Sequence, residues 1–189
     1  MEAFLVSTGI VALAEMGDKT QLLSILLAAR YRQPTAIILG ILCATLVNHA
    51  AAAALGAWIT AYIGYDNLRW IIGISFIGMA LWMLIPDRLD DTGEKPLKLG
   101  VFATTVVAFF LAEMGDKTQV ATVALAAQYT GYYAVVAGTT LGMMLANVPA
   151  VLLGETITRK LPLPWIHGTA ALIFLILGAV VLMNADVPN

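Results

Sequence analysis

Apolar residues in this chain are gathered into six long stretches, and most polar residues fall between them. Each stretch is long enough to cross the hydrocarbon core of a bilayer, which takes about 20 residues of α-helix. The stretches are continuously apolar rather than alternating, which favours helices over the strands of a membrane barrel. The pattern predicts six transmembrane helices, at 3–29, 35–63, 68–85, 99–127, 132–157 and 163–183.

The composition agrees with a chain that lies in a lipid bilayer. Of the 189 residues, 60% are hydrophobic and 12% are charged, whereas a typical soluble domain has about 25% charged residues. The net charge of −2, without a basic stripe, gives no reason to expect a nucleic-acid partner. The single cysteine, Cys43, excludes an intramolecular disulfide and is expected to be a packing residue. The first stretch lacks the basic start of a signal peptide, so we expect it to be retained as a helix.

One segment of seven residues occurs twice. Glu-Met-Gly-Asp-Lys-Thr-Gln stands at 15–21, the first motif, and unchanged at 113–119, the second motif, an offset of 98 residues. Gly40 matches Gly138 at the same offset, so each repeat covers three helices. Because three is odd, the second copy must enter the membrane from the opposite side, as in many secondary transporters. The sequence therefore predicts an all-α integral membrane bundle of six helices in two inverted repeats, with a first repeat at 1–85, a cytoplasmic linker at 86–98 and a second repeat at 99–189.

The distribution of basic residues predicts the orientation. Lysine and arginine in short loops mark the cytoplasmic side of a membrane protein. Seven basic residues fall after the first, third and fifth spans: Arg30, Arg32, Arg88, Lys95, Lys98, Arg159 and Lys160. Only Arg69 falls on the opposite side. We therefore expect both termini in the periplasm and the chain in a bacterial inner membrane.

The two motifs place ionisable groups near the bilayer centre, where each charged side chain costs roughly 2.5 to 3.5 kcal/mol. On a continuous helix, Glu15, Asp18 and Gln21 share one face and form an oxygen-bearing stripe. The second motif repeats this stripe with Glu113, Asp116 and Gln119. Two facing stripes would make a hard oxygen site for calcium, magnesium or manganese. Four carboxylates and two lysines carry a formal charge of −2, which one divalent cation would neutralise.

The lysines of the motifs allow a purely structural alternative. Lys19 and Lys117 each follow a glutamate by four residues, so Glu15–Lys19 and Glu113–Lys117 could be helical ion pairs that only hold the bundle together. This alternative leaves the motif aspartates without partners, which argues against it. We expect instead that the lysines pair with carboxylates when the cation is absent.

Gly17 and Gly115 allow close helix approach, or a local break that frees backbone carbonyls as ligands. Met16 and Met114 could add thioether ligands that favour manganese, although methionine in a membrane helix is more often a packing residue. The motif glycines and methionines thus leave the ligand set open.

Polar residues in the second and fifth spans are further candidates. Asn48 and His49 lie in the middle of the second span, and Asn147 lies in the fifth. Like the motif glutamines, Asn48 and Asn147 could coordinate the ion, lie on a proton path or bond to a neighbouring helix. His167, near the cytoplasmic end of the sixth span, is expected to be structural rather than a proton relay.

The sequence Glu-Met-Gly-Asp-Lys-Thr at 15–20 and 113–118 resembles the signature of the Golgi and bacterial calcium/manganese transporters, Glu-x-Gly-Asp-(Lys or Arg)-(Thr or Ser), with one copy in each three-helix half. Both copies fit without a departure, and the compact chain is similar to the bacterial manganese exporters of the MneA type. The resemblance implies cation/proton exchange that removes Mn²⁺ or Ca²⁺ from the cytoplasm, with no resident cofactor. It also implies the cation-binding carboxylates: Glu15, Asp18, Glu113 and Asp116.

Proton coupling has a physical rationale, because cations and protons compete for the same carboxylate oxygens. Other functions remain open at this point. The chain could export another small substrate, such as an amino acid, with the acids serving only proton coupling, or it could be a cation channel or a scaffold. An intramembrane enzyme is disfavoured, since the sequence has no His-Glu-x-x-His zinc pattern and no phosphate loop.

Overall fold

The computed structural model describes residues 1–63, 65–85, 100–154 and 163–183, and every regular element within these ranges is an α-helix. The helices are α1 (Glu2–Glu15), α2 (Lys19–Tyr31), α3 (Pro34–Tyr62), α4 (Tyr65–Trp82), α5 (Val101–Glu113), α6 (Lys117–Gln128), α7 (Tyr132–Leu153) and α8 (Leu163–Met183). The predicted all-α class is therefore confirmed for the described part of the chain.

Three helices are long and apolar enough to cross a membrane by length and composition: α3, α7 and the 164–183 part of α8. Two more, α5 and the 67–82 part of α4, are apolar but shorter. The first and fourth predicted spans are each divided into two helices, α1 with α2 and α5 with α6. The local break that the motif glycines allow is therefore present in both of these spans.

The division falls inside both motifs. After α1, Met16 is extended (φ −65°, ψ 115°), Gly17 has a φ of 84°, and Asp18 is extended again before α2 begins. A positive φ places the Cβ of an L-residue too close to the neighbouring carbonyl oxygen, so glycine is the residue that permits this turn. The local break that Gly17 allowed is therefore present, and the idea of an unbroken stripe from Glu15 to Gln21 was wrong.

The second motif repeats the same backbone. Met114 has φ −65° and ψ 118°, Gly115 has a φ of 77°, and Asp116 has φ −81° and ψ 165° before α6 begins. In both copies the aspartate N–H donates to the carbonyl of the glutamate three residues earlier, at 3.1 Å. Because the two sequences are identical, the same break arises twice.

Glycines bring helices of the two halves into close contact. A Cβ added at Gly138 of α7 would lie 2.5 Å from the carbonyl oxygen of Phe4, and one at Gly142 would lie 2.7 Å from that of Thr8. At Gly40 of α3, an added Cβ would lie 2.7 Å from the Cβ of Thr105. The backbones of α7 and α1, and likewise of α3 and α5, therefore approach more closely than larger residues would allow.

The distribution of polar and apolar side chains suits a lipid environment. Large apolar side chains are exposed along the outer helix faces, for example Leu46, Trp58, Ile74 and Leu172. Most of the buried polar and charged side chains lie in the motifs and the helices around them. Lipid would solvate the apolar exterior, whereas the interior polar groups need partners within the protein.

Several expectations fall on residues outside the described ranges. These include the linker at 86–98, with Arg88, Lys95 and Lys98, and the segment 155–162, with Arg159 and Lys160. Within the described chain α7 ends at Leu153, four residues before the predicted end, and Gly154 follows with a φ of 60°.

Candidate functional site

The two helix breaks meet in the interior of the bundle and bring acidic oxygens together. Glu15 ends α1, Glu113 ends α5, and Asp116 directly precedes α6. One carboxylate oxygen from each lies within 4.8 Å of the other two, and all three residues are buried. Residues 98 positions apart in sequence therefore share one site, as the duplicated motif predicted.

A threonine of the same motif holds one oxygen of each glutamate. Thr20 Oγ1 donates to Glu15 Oε2 at 2.5 Å, and Thr118 Oγ1 donates to Glu113 Oε2 at 3.0 Å. The other oxygen of each glutamate, Oε1, is buried and has no hydrogen-bond partner among the described residues. Each glutamate is thus oriented through one oxygen, while the other is left without a hydrogen bond from the described residues.

The lysines pair with aspartates across the two motifs. Lys19 Nζ lies 2.9 Å from Asp116 Oδ1, and Lys117 Nζ lies 3.1 Å from Asp18 Oδ1. The structural alternative of Glu15–Lys19 and Glu113–Lys117 pairs within one helix was wrong, because the break turns each lysine toward the other half. Its corollary, aspartates without partners, was also wrong. The lysines do lie beside carboxylates, those of the aspartates. That this pairing depends on the absence of the cation stays a prediction.

Asp18 lies outside the group of mutually close carboxylate oxygens. The group of mutually close oxygens contains Glu15, Glu113 and Asp116, whereas Asp18 is held by Lys117. Of the four predicted carboxylates, the structure thus brings three into one cluster. The fourth is buried as well, on the N-terminal side of α2.

The motif glutamines brace the helix breaks. The N–H of Gly17 donates to Gln21 Oε1 at 2.9 Å, and the N–H of Gly115 donates to Gln119 Oε1 at 2.7 Å. Gln21 Nε2 also donates to the carbonyl of Ala146 in α7, at 3.0 Å. Sequence reasoning missed this role, since it appears only once the glycine N–H has been freed from the helix.

The side-chain amides of Asn48 and Asn147 each form a hydrogen bond to a neighbouring helix. Asn48 Nδ2 donates to the carbonyl of Phe110 at 3.2 Å, and Asn147 Oδ1 accepts from Ser24 Oγ at 2.7 Å. Asn147 Nδ2 donates to the carbonyl of Met143. His49, at the position 98 residues before Asn147, is buried, and neither ring nitrogen has a partner in the described chain.

His167 lies against the first motif. Its Nε2 is 2.7 Å from the carbonyl oxygen of Met16, and since a carbonyl can only accept, Nε2 is the donor. The contact ties α8 to the break between α1 and α2. The partner of His167 could not be predicted, because a carbonyl freed by a helix break leaves no signal in the sequence.

This arrangement suits a hard cation. Carboxylate oxygens are the ligands of calcium, magnesium and manganese in proteins, and three of them converge here without bulk water around them. The positive ends of α2 and α6 also point into the site and favour negative charge there. Clustered carboxylates repel one another, so the binding of a cation or of protons lowers the electrostatic free energy of the site.

Comparisons with known proteins agree with this chemistry. The sequence profile of the family described as "Divalent cation/proton antiporter GDT1" matches residues 3–91 and 101–188. A Vibrio cholerae protein named "Putative manganese exporter" is 51% identical over 180 residues, which are 94% of this chain and 89% of that protein. The protein of Saccharomyces cerevisiae named "Divalent cation/proton antiporter GDT1" is 22% identical over 239 residues, covering 98% of this chain and 85% of the yeast protein. No solved structure matches the chain.

The match to the family includes both helix breaks and runs through nearly the whole chain. It also agrees with the resemblance that the duplicated Glu-x-Gly-Asp-Lys-Thr signature carries. The chain therefore belongs to the GDT1 family of divalent cation/proton antiporters, a family of transporters.

Proposed function

We propose that this protein exports manganese from the cytoplasm in exchange for protons. The observation that carries the proposal is the cluster of buried carboxylates from Glu15, Glu113 and Asp116, whose oxygens lie within 4.8 Å of one another. Manganese is the cation named for the Vibrio cholerae relative, and an oxygen-rich site suits it, with calcium as the second candidate.

The architecture we propose is the predicted one, six membrane spans in two inverted repeats. α1 with α2, of 14 and 13 residues, would form the first span, and α5 with α6, of 13 and 12 residues, the fourth. At 1.5 Å per residue each pair is about 40 Å long, enough for one tilted crossing. The halves would be 1–85 and 99–189 with a cytoplasmic linker at 86–98, and the excess of basic residues after the odd-numbered spans supports periplasmic termini.

The cation and the protons would compete for the same oxygens. The Oε1 atoms of Glu15 and Glu113 have no partner in the described chain, so each can take either a proton or a share of a divalent ion. Exchange follows if the protein changes its facing only when the site holds one or the other. Thr20 and Thr118 would keep the glutamates oriented in both cases.

The lysine–aspartate ion pairs between the two motifs would couple cation binding to a rearrangement of the protein. Lys19 pairs with Asp116, and Lys117 pairs with Asp18. An arriving divalent ion would compete with Lys19 for Asp116, which belongs to the cluster, and Asp18 would join as a fourth carboxylate once Lys117 releases it. Unchanged manganese transport by Lys19→Met would remove this coupling.

The test is transport by purified protein in liposomes. Under an imposed pH gradient we expect manganese movement that reverses with the gradient, competition by calcium and a weaker effect of magnesium. Counterflow, in which manganese on one side accelerates movement of labelled manganese from the other, should be present. Gradient-driven flux without counterflow would indicate a channel instead.

Glu15→Gln should abolish both manganese movement and the proton flux linked to it. Thr169→Ala is the matched control, since Thr169 is exposed on α8 and bonds only to its own helix at the carbonyl of Trp165. Proton-coupled flux of an amino acid with no manganese binding by the protein would favour the other exporter class and contradict the proposal.

A further inference from the structure

The core of the bundle follows the internal repeat closely. With an offset of 98 residues, α1 corresponds to α5, α2 to α6, α3 to α7 and α4 to α8. The contact of α1 with α7 has its equivalent in α5 with α3, and the contact of α2 with α7 has its equivalent in α6 with α3. The contact of α1 with α6 likewise recurs as α5 with α2. The same helix pairs therefore meet in both halves, an approximate symmetry in which the contacts of α1 with α7 and of α3 with α6 are the more extensive ones.

The remaining two helices, α4 and α8, break this symmetry. They pack extensively against each other, and the equivalent residues Phe76 and Phe174 face each other with ring centroids 6.0 Å apart. As a pair, however, they contact only one of the two equivalent sets of helices. α8 packs against α1 and α4 packs against α6, whereas the equivalent pairs, α4 with α5 and α8 with α2, make little or no contact in the described chain.

Side-chain exposure at the motifs follows the position of this pair. Met114, at the end of α5, is 56% exposed, whereas Met16, at the end of α1, is partly covered. Lys19, at the start of α2, is 26% exposed, whereas Lys117, at the start of α6, is 3% exposed. The less exposed residues, Met16 and Lys117, adjoin α1 and α6, which are the helices that α8 and α4 pack against.

One equivalent pair of side chains with N–H donors, His167 and Arg69, shows the same asymmetry. His167 of α8 donates to the carbonyl of Met16 at 2.7 Å. Arg69 of α4 stands 98 residues earlier, and its Nε is buried without a hydrogen-bond partner among the described residues. A buried donor without a partner costs free energy, so Arg69 gains if a rearrangement supplies an acceptor.

We propose that α4 and α8 move as one unit between two docked positions, and that His167 and Arg69 are the positioning residues that hold them. In the position seen here, His167 is bound to Met16 and the break at Met114 is uncovered. In the other, Arg69 binds the carbonyl of Met114, α4 packs on α5, α8 packs on α2, and Met16 is uncovered. Because the repeats are inverted, the two positions are related by an approximate two-fold axis in the plane of the membrane.

This inference rests on the proposed function and assigns a facing to the structure. In the proposed orientation α8 begins at the cytoplasmic side and α4 at the periplasmic side. α1 and α6 are then the periplasmic parts of the first and fourth spans, and α8 and α4 pack against them. Met114 ends α5 and Lys19 begins α2, which are the cytoplasmic parts, so the position seen here leaves the site open toward the cytoplasm, where manganese is loaded. The other docked position, with α4 on α5 and α8 on α2, would open the site to the periplasm, where manganese is released.

Thiol labelling tests the two positions directly. Cys43→Ala removes the single cysteine, after which Met16→Cys or Met114→Cys becomes the reporter. In proteoliposomes treated with a membrane-impermeant maleimide, we expect Met114→Cys to react at least about tenfold faster than Met16→Cys. Adding His167→Ala should raise the Met16→Cys rate and lower the Met114→Cys rate, each by about tenfold. Arg69→Ala should shift both rates in the opposite direction.

The controls separate gating from folding. Thr169→Ala on α8 and Ser75→Ala on α4 remove hydroxyls that bond only within their own helices, and both should leave the labelling ratio unchanged. His167→Gln keeps an N–H donor and should restore the original ratio. The inference would be overturned if His167→Ala or Arg69→Ala shifted both reporters in the same direction, or shifted neither reporter.

Manganese uptake measured on the same proteoliposomes distinguishes the two proposals. Normal manganese/proton exchange with a labelling ratio that ignores His167 and Arg69 would refute the gate and leave the transport function standing. Reciprocal labelling in a protein that neither binds nor moves manganese would refute the function and leave the two docked positions standing.

Discussion

The first and second motifs have the same sequence and the same backbone, yet their surroundings differ. Both contain a positive-φ glycine, a glutamate held by a threonine and a lysine that reaches an aspartate of the other copy. Around them, Met16 is covered by α8 while Met114 is exposed, and Lys117 is buried while Lys19 is partly exposed. Chemistry that belongs to the motif should therefore be equal in the two halves, and properties that depend on α4 and α8 should differ.

The largest effect is expected where the halves are equal. Glu15→Gln and Glu113→Gln each remove a charged oxygen donor from one shared cluster. Loss of an outer-shell partner typically lowers metal affinity about 10- to 100-fold, so loss of a ligand should lower manganese binding at least about 100-fold. Isothermal titration with manganese measures this for both variants. A large loss in one variant with normal binding in the other would show that the cluster is not a single site.

The features that the two halves share can be predicted well from the sequence. Continuous apolar runs and the duplicated motif are sufficient to expect helices and the convergence of Glu15 with Glu113, because both signals follow from what lipid requires of a buried charge. The break at Gly17 was foreseen as an option, since glycine tolerates a positive φ. The outcome could not be decided from the sequence, because a glycine in a membrane helix serves close packing equally well.

The ion pairs, the contact of His167 and the position of α4 and α8 could not be predicted from the sequence. Lys19 pairs with Asp116 rather than Glu15 only because the break redirects the chain between them. His167 finds its acceptor only because the same break frees the carbonyl of Met16. The position of α4 and α8 has no signal in the sequence, since the repeat is compatible with either side. Such contacts depend on backbone geometry and conformational state rather than on residue spacing.

The next largest effect concerns the two lysines, where the halves should differ. Lys117→Met leaves Asp18 without that ion-pair partner in a buried environment, which typically costs about 3–5 kcal/mol of stability. Lys19→Met acts at a position that is 26% exposed, so Asp116 can recover solvation and the loss should be smaller, about 1–3 kcal/mol. Thermal unfolding in detergent at neutral pH compares them. Equal losses would mean that the exposure of Lys19 does not relieve Asp116.

A smaller effect is expected from the threonines that orient the glutamates. Thr20→Val and Thr118→Val keep the side-chain shape and remove the hydroxyl that donates to Oε2. A hydrogen bond to a charged group contributes about 1.5–3 kcal/mol, so manganese binding should weaken roughly 10- to 100-fold. The two hydroxyls occupy equivalent positions in the two motifs, so the two variants should weaken manganese binding to a similar extent. Thr169→Val is the matched control, and weakening of the same size there would contradict an orienting role.

The smallest effect is expected from the glycines at the breaks. Gly17→Ala and Gly115→Ala force an alanine into the left-handed region, at φ values of 84° and 77°, which costs roughly 1–2 kcal/mol at either position. A Cβ at Gly115 would meet nothing within 4 Å, so backbone strain alone should act there. Gly78, inside α4 and equally open, is the matched control: Gly78→Ala should stabilise by about 0.5–1 kcal/mol. Thermal unfolding that shows stabilisation at Gly115 as well would mean that the chain does not need the break and can run through the motif as a continuous helix.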